Sequence, residues 1–424
     1  MKLKTIRITP IAFKDPPLLN AAGIHEPYAL RTIIELESDT GHVGLGETYG
    51  DAPVLELLQA LAPDLAGLDP FNLNGLRQRV RDVVARTRTS AGTAFTLAPG
   101  TDPAKNVQKL YSAFEVAFLD MQARYLGMPL VDLLGGRVRD AVPFSAYLFF
   151  KYARHVDAHY QDDAWGEALT PEQLVAQAET MIDRHGFKSI KLKAGVLPPE
   201  QEVDCIRALA HRFPGMPLRI DPNGNWSLST AIAMGGQLDG LLEYYEDPCP
   251  TLADMAALHQ ATGMLLATNM VVTDLDQFRA NTATQGCQII LSDHHYWGGL
   301  RDTQLLARMC ETFGLGLSMH SNSHLGISLM AMAHVAASVP LLSYACDTHY
   351  PWLDPNEEVI AGGQLRFQDG AIVPGDAPGL GLDIDQDALA RLHRQYLDCG
   401  IRSRNDAAQM RKYRPGWTGK APRF

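Results

Sequence analysis

The stretch "SIKLKAG", residues 189 to 195, sets two lysines one residue apart among apolar neighbours. Side chains alternate along a β-strand, so Lys191 and Lys193 would share one face while Ile190 and Leu192 share the other. Ammonium groups on the inner face of a sheet are costly unless they are paired or lie in a polar site. The stretch therefore predicts either two carboxylate-bound structural lysines or a site in which one lysine acts as a base.

Oxygen-bearing side chains close three of the predicted strands that follow. Asp221 lies in "LRIDPN", Glu246 in "LEYYEDP" and Asn269 in "LLATNM", with spacings of 25 residues (221 to 246) and 23 residues (246 to 269). A single Asp before Pro is more often a turn or capping residue, but three strand ends one βα unit apart would converge. Two carboxylates and an amide oxygen suit Mg²⁺. Alternation assigns the ligand to Glu246, with Asp247 facing the helices.

Two acid–base groups would flank this predicted metal site. Each lysine would lie next to a cation and to the other lysine, so the pKa of at least one ammonium group should be lowered. Lys193 is favoured as the base because it lies nearer the strand end. Across the ring, Asp293 would fix the tautomer of His320 and raise its pKa. Four further histidines are interpreted as structural or exposed: His294, His295, His324 and His334.

These residues need a scaffold that brings strand ends together. From residue 144, β-rich runs alternate with amphipathic segments, which indicates repeated βα units and hence a modified TIM barrel of eight strands and seven helices. Its active site would lie at the C-terminal ends of the strands. The predicted strands span 144–150, 189–195, 218–223, 242–248, 265–270, 288–293, 316–321 and 341–347.

The remaining chain predicts two further parts around the barrel, giving an α/β protein with an α+β capping domain. We assign residues 1–140 to the cap, 141–351 to the (β/α)7β barrel and 352–424 to a C-terminal segment that returns to the cap. No internal repeat beyond the βα units is visible.

Composition excludes several classes of function. The chain has 424 residues and a formal net charge of −11, from 37 basic and 48 acidic residues without a basic run, which argues against nucleic-acid or anionic-membrane partners. The first residues alternate like a strand, unlike a signal peptide, and six scattered cysteines lack CxxC spacing. We expect a cytoplasmic enzyme acting on a small molecule; both a monomer and a homo-oligomer are compatible with the sequence.

Characteristic strings lie at the predicted strand ends, among them "FKSIKLKAGVL", "LRIDPNGNWSL", "LLATNMVVTD", "SMHSNSHLGISLMAMAHVAA" and "DTHYPW". These strings, in this order, resemble the glucarate dehydratase branch of the enolase superfamily, from "NAAGIHEPY" to "RPGW". The resemblance implies a Mg²⁺-dependent dehydratase that acts on a six-carbon sugar diacid, glucarate or galactarate.

The resemblance also implies roles for individual positions. Asp221, Glu246 and Asn269 would hold Mg²⁺. Lys193 would be one base and His320 with Asp293 the second acid–base group, while Lys191 and Asn223 would stabilise the enolate. Substrate contacts would come from Asn20, His25, Tyr147, Ser321, His349 and Arg404. The sequence departs from the branch at Asn106 and Val107, where a substrate-contacting threonine is expected, and in a short connection after Glu246.

Three other functions stay open at this point. Two bases on opposite faces of one carbon would also serve an epimerase or racemase of an acid sugar. An inward lysine in a barrel would also form a Schiff base with a keto acid. A sugar-acid binding protein that has lost catalysis is the remaining alternative.

Overall fold

A computed structural model describes residues 1–89, 99–157 and 163–424 of the chain. Among these residues, no helix has the length and apolar character that a bilayer crossing requires.

Within the described residues, an antiparallel sheet in the order β1–β2–β3 comes first and four α-helices follow it. The long helix α3 packs directly on β3 because this strand carries Gly44 and Gly46 where a Cβ would collide with carbonyl oxygens of the helix. The first elements are β1 Leu3–Lys14, β2 Tyr28–Ser38, β3 Val43–Tyr49, α1 Ala52–Leu65, α2 Leu73–Arg86, α3 Asn106–Leu126, α4 Leu130–Leu133 and β4 Val142–Pro143.

Seven parallel strands form the second sheet, hydrogen-bonded in sequence order from β5 to β11. They are β5 Ala146–Phe149, β6 Ile190–Lys193, β7 Leu218–Asp221, β8 Tyr244–Glu246, β9 Leu266–Thr268, β10 Ile289–Ser292 and β11 Gly316–Met319. Register pairs Tyr147 with Lys191 and Lys193 with Asp221, so inward side chains of neighbouring strands lie side by side.

Helices connect these strands as predicted. They begin at capping side chains such as Thr170, Thr251 and Asp274, and several end at a glycine such as Gly186. Seven are the expected crossover helices, and α10 is an additional short turn. Their bounds are α5 Pro171–His185, α6 Pro199–Arg212, α7 Leu228–Leu238, α8 Leu252–Thr262, α9 Leu275–Thr284, α10 His294–Trp297, α11 Gly299–Phe313 and α12 Gly326–Ser338.

The eighth predicted strand, 341–347, has no regular strand geometry, yet it joins both edges of the sheet. Asp347 N donates to Met319 O of β11 at 2.8 Å, and Cys346 O accepts from the backbone N of Ser145, the residue before β5, at 2.9 Å. This segment therefore occupies the eighth position and closes the barrel, which confirms the predicted fold class.

The C-terminal residues contribute β12 (Ala371–Ile372), α13 (Gln386–Cys399) and α14 (Asp406–Tyr413). Helix α13 lies on β1, where Gln395 Nε2 donates to Ala12 O at 3.0 Å. The domain boundaries at residues 140 and 351 stay a prediction. Of the segment 151–170, whose order the sequence left open, residues 158–162 lie outside the described residues.

Candidate active site

The two lysines of β6 each lie against a carboxylate from another strand or strand-like segment. Lys191 Nζ is 2.5 Å from Glu246 Oε1 and 2.7 Å from Asp347 Oδ2. Lys193 Nζ is 2.7 Å from Asp221 Oδ2. All five side chains are buried. Alternation therefore predicted the inward direction of both lysines, and both are ion-paired.

These carboxylates set the charge state of the lysines. Burial by itself favours the neutral amine, but Asp347 and Glu246 raise the pKa of Lys191 well above its usual value. Burial is likewise outweighed at Lys193, whose pKa is raised mainly by Asp221. This direction is opposite to the predicted lowering, which assumed a cation beside the lysines, because strand register puts an acid beside each ammonium group.

The three predicted oxygen ligands come together at the ends of β7, β8 and β9. Asn269 Nδ2 donates to Glu246 Oε1 at 2.7 Å, and Asp221 Oδ2 is 3.4 Å from the shared neighbour Lys191 Nζ. Glu246 Oε2 is buried without a hydrogen-bond partner among the described residues. Burial and repulsion from Asp221 raise the pKa of Glu246 well above its usual value. A divalent cation would satisfy the orphaned oxygen and offset this repulsion, so the residues fit Mg²⁺.

Asp247, next to Glu246 in sequence, is engaged elsewhere. Its Oδ1 accepts from Thr268 Oγ1 at 2.5 Å and its Oδ2 from Asn269 N at 2.8 Å. Both oxygens therefore hold β9 in place, which leaves Glu246 as the carboxylate of this strand with an unused oxygen.

His320 extends from the end of β11 on the other side of the metal-ligand group. Its Nδ1 is 3.2 Å from Asp293 Oδ2 and 3.3 Å from Tyr296 Oη. The predicted dyad is thus assembled. For His320 the predicted rise in pKa is wrong, because burial lowers this pKa more than Asp293 raises it. The lysines of β6 lower it further.

A third residue of this group was not identified from the sequence. His295 Nδ1 is 2.8 Å from Asp293 Oδ1, so two imidazoles share one carboxylate. Although burial acts in the opposite direction, His295 and His320 hold the pKa of Asp293 well below its usual value. The string "DHH" at the end of β10 was the available signal. The four histidines 294, 295, 324 and 334 are all buried, so the exposed interpretation is wrong for them.

A cavity of about 460 Å³ lies between the cap, the strand ends and the C-terminal segment. Four catalytic or metal candidates reach its wall, whereas Lys191, Asp221, Glu246 and Asp293 are not among the lining residues. The predicted residues on the wall are Lys193, Asn223, Asn269, His320, Asn20, His25, Tyr147, His349 and Arg404.

Carboxylates hold the polar side chains at the cap end of the cavity. Arg404 donates from Nε and Nη2 to the two oxygens of Asp406, at 2.7 and 2.6 Å, and Asn20 Nδ2 donates to Asp406 at 2.6 Å. His25 Nδ1 is 2.9 Å from Asp15 Oδ2. The sequence predicted the cationic side of this end but not the carboxylates that accompany it.

Some predicted contacts are displaced from the cavity. Ser321 is not a lining residue, and its Oγ accepts from His349 N at 3.2 Å; its direct contact with substrate stays a prediction. Neither Asn106 nor Val107 lines the cavity; among the described residues from 99 to 110, Gly100 does. Lining residues that the sequence analysis missed include Glu26, Arg31, Tyr49, Asp51 and Asn322.

Two known protein families match this chain. The mandelate racemase / muconate lactonizing enzyme N-terminal domain matches residues 7–135, and the enolase C-terminal domain-like family matches residues 173–388. The chain belongs to the enolase superfamily. Its barrel and cap are therefore those of the enolase superfamily.

Individual relatives match over the full length. A Streptomyces coelicolor protein named "Probable glucarate dehydratase" is 48% identical, covering 100% of this chain and 99% of the relative. The crystal structure of an enolase from Pseudomonas fluorescens Pf0-1 with bound magnesium, potassium and tartrate is 65% identical, with a TM-score of 0.98 and coverage of 100% and 99%. An enolase from Thermobispora bispora, complexed with magnesium and formate, is 50% identical with a TM-score of 0.96, and both chains are covered completely. Magnesium in both structures confirms Mg²⁺ as the predicted cofactor of this family.

Proposed function

We propose that the protein is a Mg²⁺-dependent dehydratase of a six-carbon sugar diacid, glucarate or galactarate. The observation that carries this proposal is the placement of Lys193 and His320 on one cavity, on β6 and at the end of β11, with the metal-ligand strands β7 to β9 between them. The S. coelicolor relative supports the dehydratase reaction through its name.

The ligands proposed for Mg²⁺ are Asp221, Glu246 and Asn269. When bound there, the ion supplies positive charge beside the carboxylate of the substrate, which makes its α-proton more acidic. Lys191, which carries its charge beside Glu246, and the amide of Asn223 add to that positive potential. Each of these groups favours the state in which negative charge has moved onto the carboxylate oxygens.

Two side chains would move the protons. Lys193 Nζ, once it has lost its own proton and is a neutral amine, or His320 Nε2 removes the α-proton, according to the face on which that proton lies. Because Asp293 binds Nδ1 of His320, the other ring nitrogen is left for the cavity. The protonated ring of His320 then donates to the β-hydroxyl as its C–O bond breaks, so that water leaves and the enol becomes a keto-deoxy diacid.

The far end of the substrate would meet the cap and the C-terminal segment. Arg404, Asn20 and His25 lie on this part of the wall. A guanidinium recognises a second carboxylate with paired hydrogen bonds, which favours a diacid over a mono-acid.

A substrate screen tests the proposal. We expect a library of mono- and diacid sugars to give keto-acid product from glucarate or galactarate with Mg²⁺ and none with EDTA. His320→Asn should abolish water loss, and Asn269→Ala should shift the Mg²⁺ requirement to higher concentration. Turnover that survives EDTA would contradict the metal assignment.

The same two groups also suit an epimerase, because they face one cavity from different strands. Exchange of the α-proton in heavy water without keto-acid formation would favour epimerisation. Tight binding of diacids with neither exchange nor product would favour a binding protein.

A further inference from the structure

The two oxygens of the Asp293 carboxylate have different hydrogen-bond partners. Its Oδ1 accepts from the backbone N of His295 at 2.9 Å and lies 2.8 Å from Nδ1 of the same residue. Its Oδ2 faces His320 Nδ1 at 3.2 Å and accepts from Asn322 Nδ2 at 3.3 Å. The orientation of this carboxylate toward His320 thus depends on what holds Oδ1.

The far nitrogen of His295 reveals the state of its ring. Nε2 lies 2.9 Å from Arg31 Nη2 and 2.9 Å from Ser328 Oγ. A guanidinium stays protonated and only donates hydrogen bonds, so Nε2 must accept. The single ring proton of His295 is then on Nδ1, where it points to Asp293.

Arg31 is itself fixed from two sides. Its Nε is 2.8 Å from Glu47 Oε1, and this carboxylate also accepts from the backbone N of Leu325 at 2.9 Å and of Ser328 at 2.9 Å. Both of these backbone amides lie at the start of α12, where the negative charge of Glu47 is stabilised. Arg31 and His295 are 2% and 1% exposed, so water does not compete for these bonds.

We propose that His295 is a positioning residue for the Asp293–His320 pair, locked in its Nδ1–H tautomer by Arg31 of the cap. In this arrangement the cap reaches the acid–base group of the barrel through Glu47, Arg31, His295 and Asp293, which we call the Arg31–His295 chain. Its effect on turnover rests on the proposed function, but the tautomer itself does not.

A metal ion is not required to explain these residues. Ligand atoms of Asp293, His294 and His295 all lie within 4.8 Å of one another, as they would around an ion. Both ring nitrogens of His295 are however used, Nδ1 by Asp293 and Nε2 by Arg31. Other titratable groups that face the chain are Tyr49, whose ring lies 5.0 Å from the Arg31 guanidinium, His294, whose ring is 4.1 Å from that of His295, and His324.

The tautomer can be measured without substrate. Nitrogen-15 NMR of histidine-labelled wild-type protein, assigned with His295→Asn, should show His295 neutral with the proton on Nδ1. The amide of His295→Asn can keep the bond to Oδ1, whereas His295→Leu removes it, so His320 should change tautomer population in the Leu variant only.

Turnover gives the second readout. General acid–base groups contribute about 10²–10⁴-fold, so His295→Leu should lower kcat about 10- to 100-fold with KM nearly unchanged, and His295→Asn should recover most of that loss. His324→Asn removes another buried imidazole that does not contact Asp293, and it should leave the His320 tautomer as in wild type.

Two results would overturn the proposal. One is a wild-type His295 that is protonated on both nitrogens or carries its proton on Nε2. The other is an unchanged His320 tautomer in a folded His295→Leu protein. Because these are spectroscopic results, they are distinguishable from a wrong substrate, which would leave the tautomers as expected while no turnover is found.

Discussion

At the scale of single residues, Arg404 is a cation on the cavity wall that is already paired with a carboxylate. Its guanidinium is held by both oxygens of Asp406, and although burial opposes it, Asp406 raises the pKa of Arg404 above its usual range. A diacid would therefore meet a cation whose field is partly balanced by a fixed carboxylate.

Arg404→Ala should weaken the binding of diacids more than that of mono-acids. Loss of a charged hydrogen bond costs about 1.5–3 kcal/mol, so we expect KM for the diacid to rise roughly 10- to 100-fold, with a small change for mono-acids. Steady-state kinetics on a diacid and the matching mono-acid would measure this. Asp406→Asn is the matched variant and should not weaken the diacid, because it removes the competing charge. Equal losses for both acids in Arg404→Ala would argue against the carboxylate contact.

Residues at strand ends were predictable from the sequence, whereas their partners were not. Alternation and the βα spacing fix Lys193, Asp221 and His320 at the rim of the barrel. The partner of His295 is 264 residues away in sequence, on β2 of the cap, and no local pattern indicates such a contact. The pKa directions were not predictable, because each depends on the balance between burial and the paired acid: the acids prevail at the lysines, whereas burial prevails at His320.

At the scale of elements, α12 is buried along its whole length. A helix covered on all sides has no amphipathic face, so its pattern gives little information about its neighbours. His334 of this helix shows what covers it: its Nδ1 accepts from the backbone N of Val131 on α4 at 3.1 Å, and its Nε2 lies 3.4 Å from Leu380 O. The eighth barrel segment was likewise predicted as a strand from its composition, although it closes the barrel with only part of a strand's hydrogen bonds.

His334 should make the protein sensitive to acid. Burial lowers its pKa to about 4, so the unfolded chain, with a histidine pKa near 6.5, binds the proton first as pH falls. The stabilising contribution is complete above pH 6.5 and is lost progressively toward pH 4. At pH 5 the loss should be about 2 kcal/mol, from about 1.4 kcal/mol for each pH unit.

His334→Asn tests this contribution, because its amide oxygen can accept from Val131 N but cannot titrate. Chemical unfolding at pH 7.5 and pH 5 would give the free energy of unfolding of both proteins. The wild type should lose about 2 kcal/mol more than the variant between these pH values. Equal losses would show that His334 does not carry the effect.

At the scale of the whole molecule, the cavity is lined by residues from three parts of the chain. Its wall takes Asn20 and His25 from the cap, Lys193 and Asn269 from the barrel, and Arg404 from the C-terminal segment. The Arg31–His295 chain adds a buried link between cap and barrel. A ligand that fills the cavity would therefore hold all three parts together.

Binding of Mg²⁺ with a diacid should accordingly protect cap, barrel and C-terminal segment together. A ligand at 100 times its Kd adds about 2.7 kcal/mol to the free energy of unfolding. Tartrate, a diacid that is bound with magnesium in the P. fluorescens relative, is a suitable binding probe once its turnover has been measured. Hydrogen exchange should slow about 100-fold, the factor that corresponds to this free energy, in peptides around residues 18–25, 190–193 and 404–411. The Asn269→Ala variant should need a higher Mg²⁺ concentration for the same protection. Protection limited to the barrel peptides would mean that the diacid contacts neither the cap nor Arg404, because a ligand slows exchange only in the parts whose opening releases it.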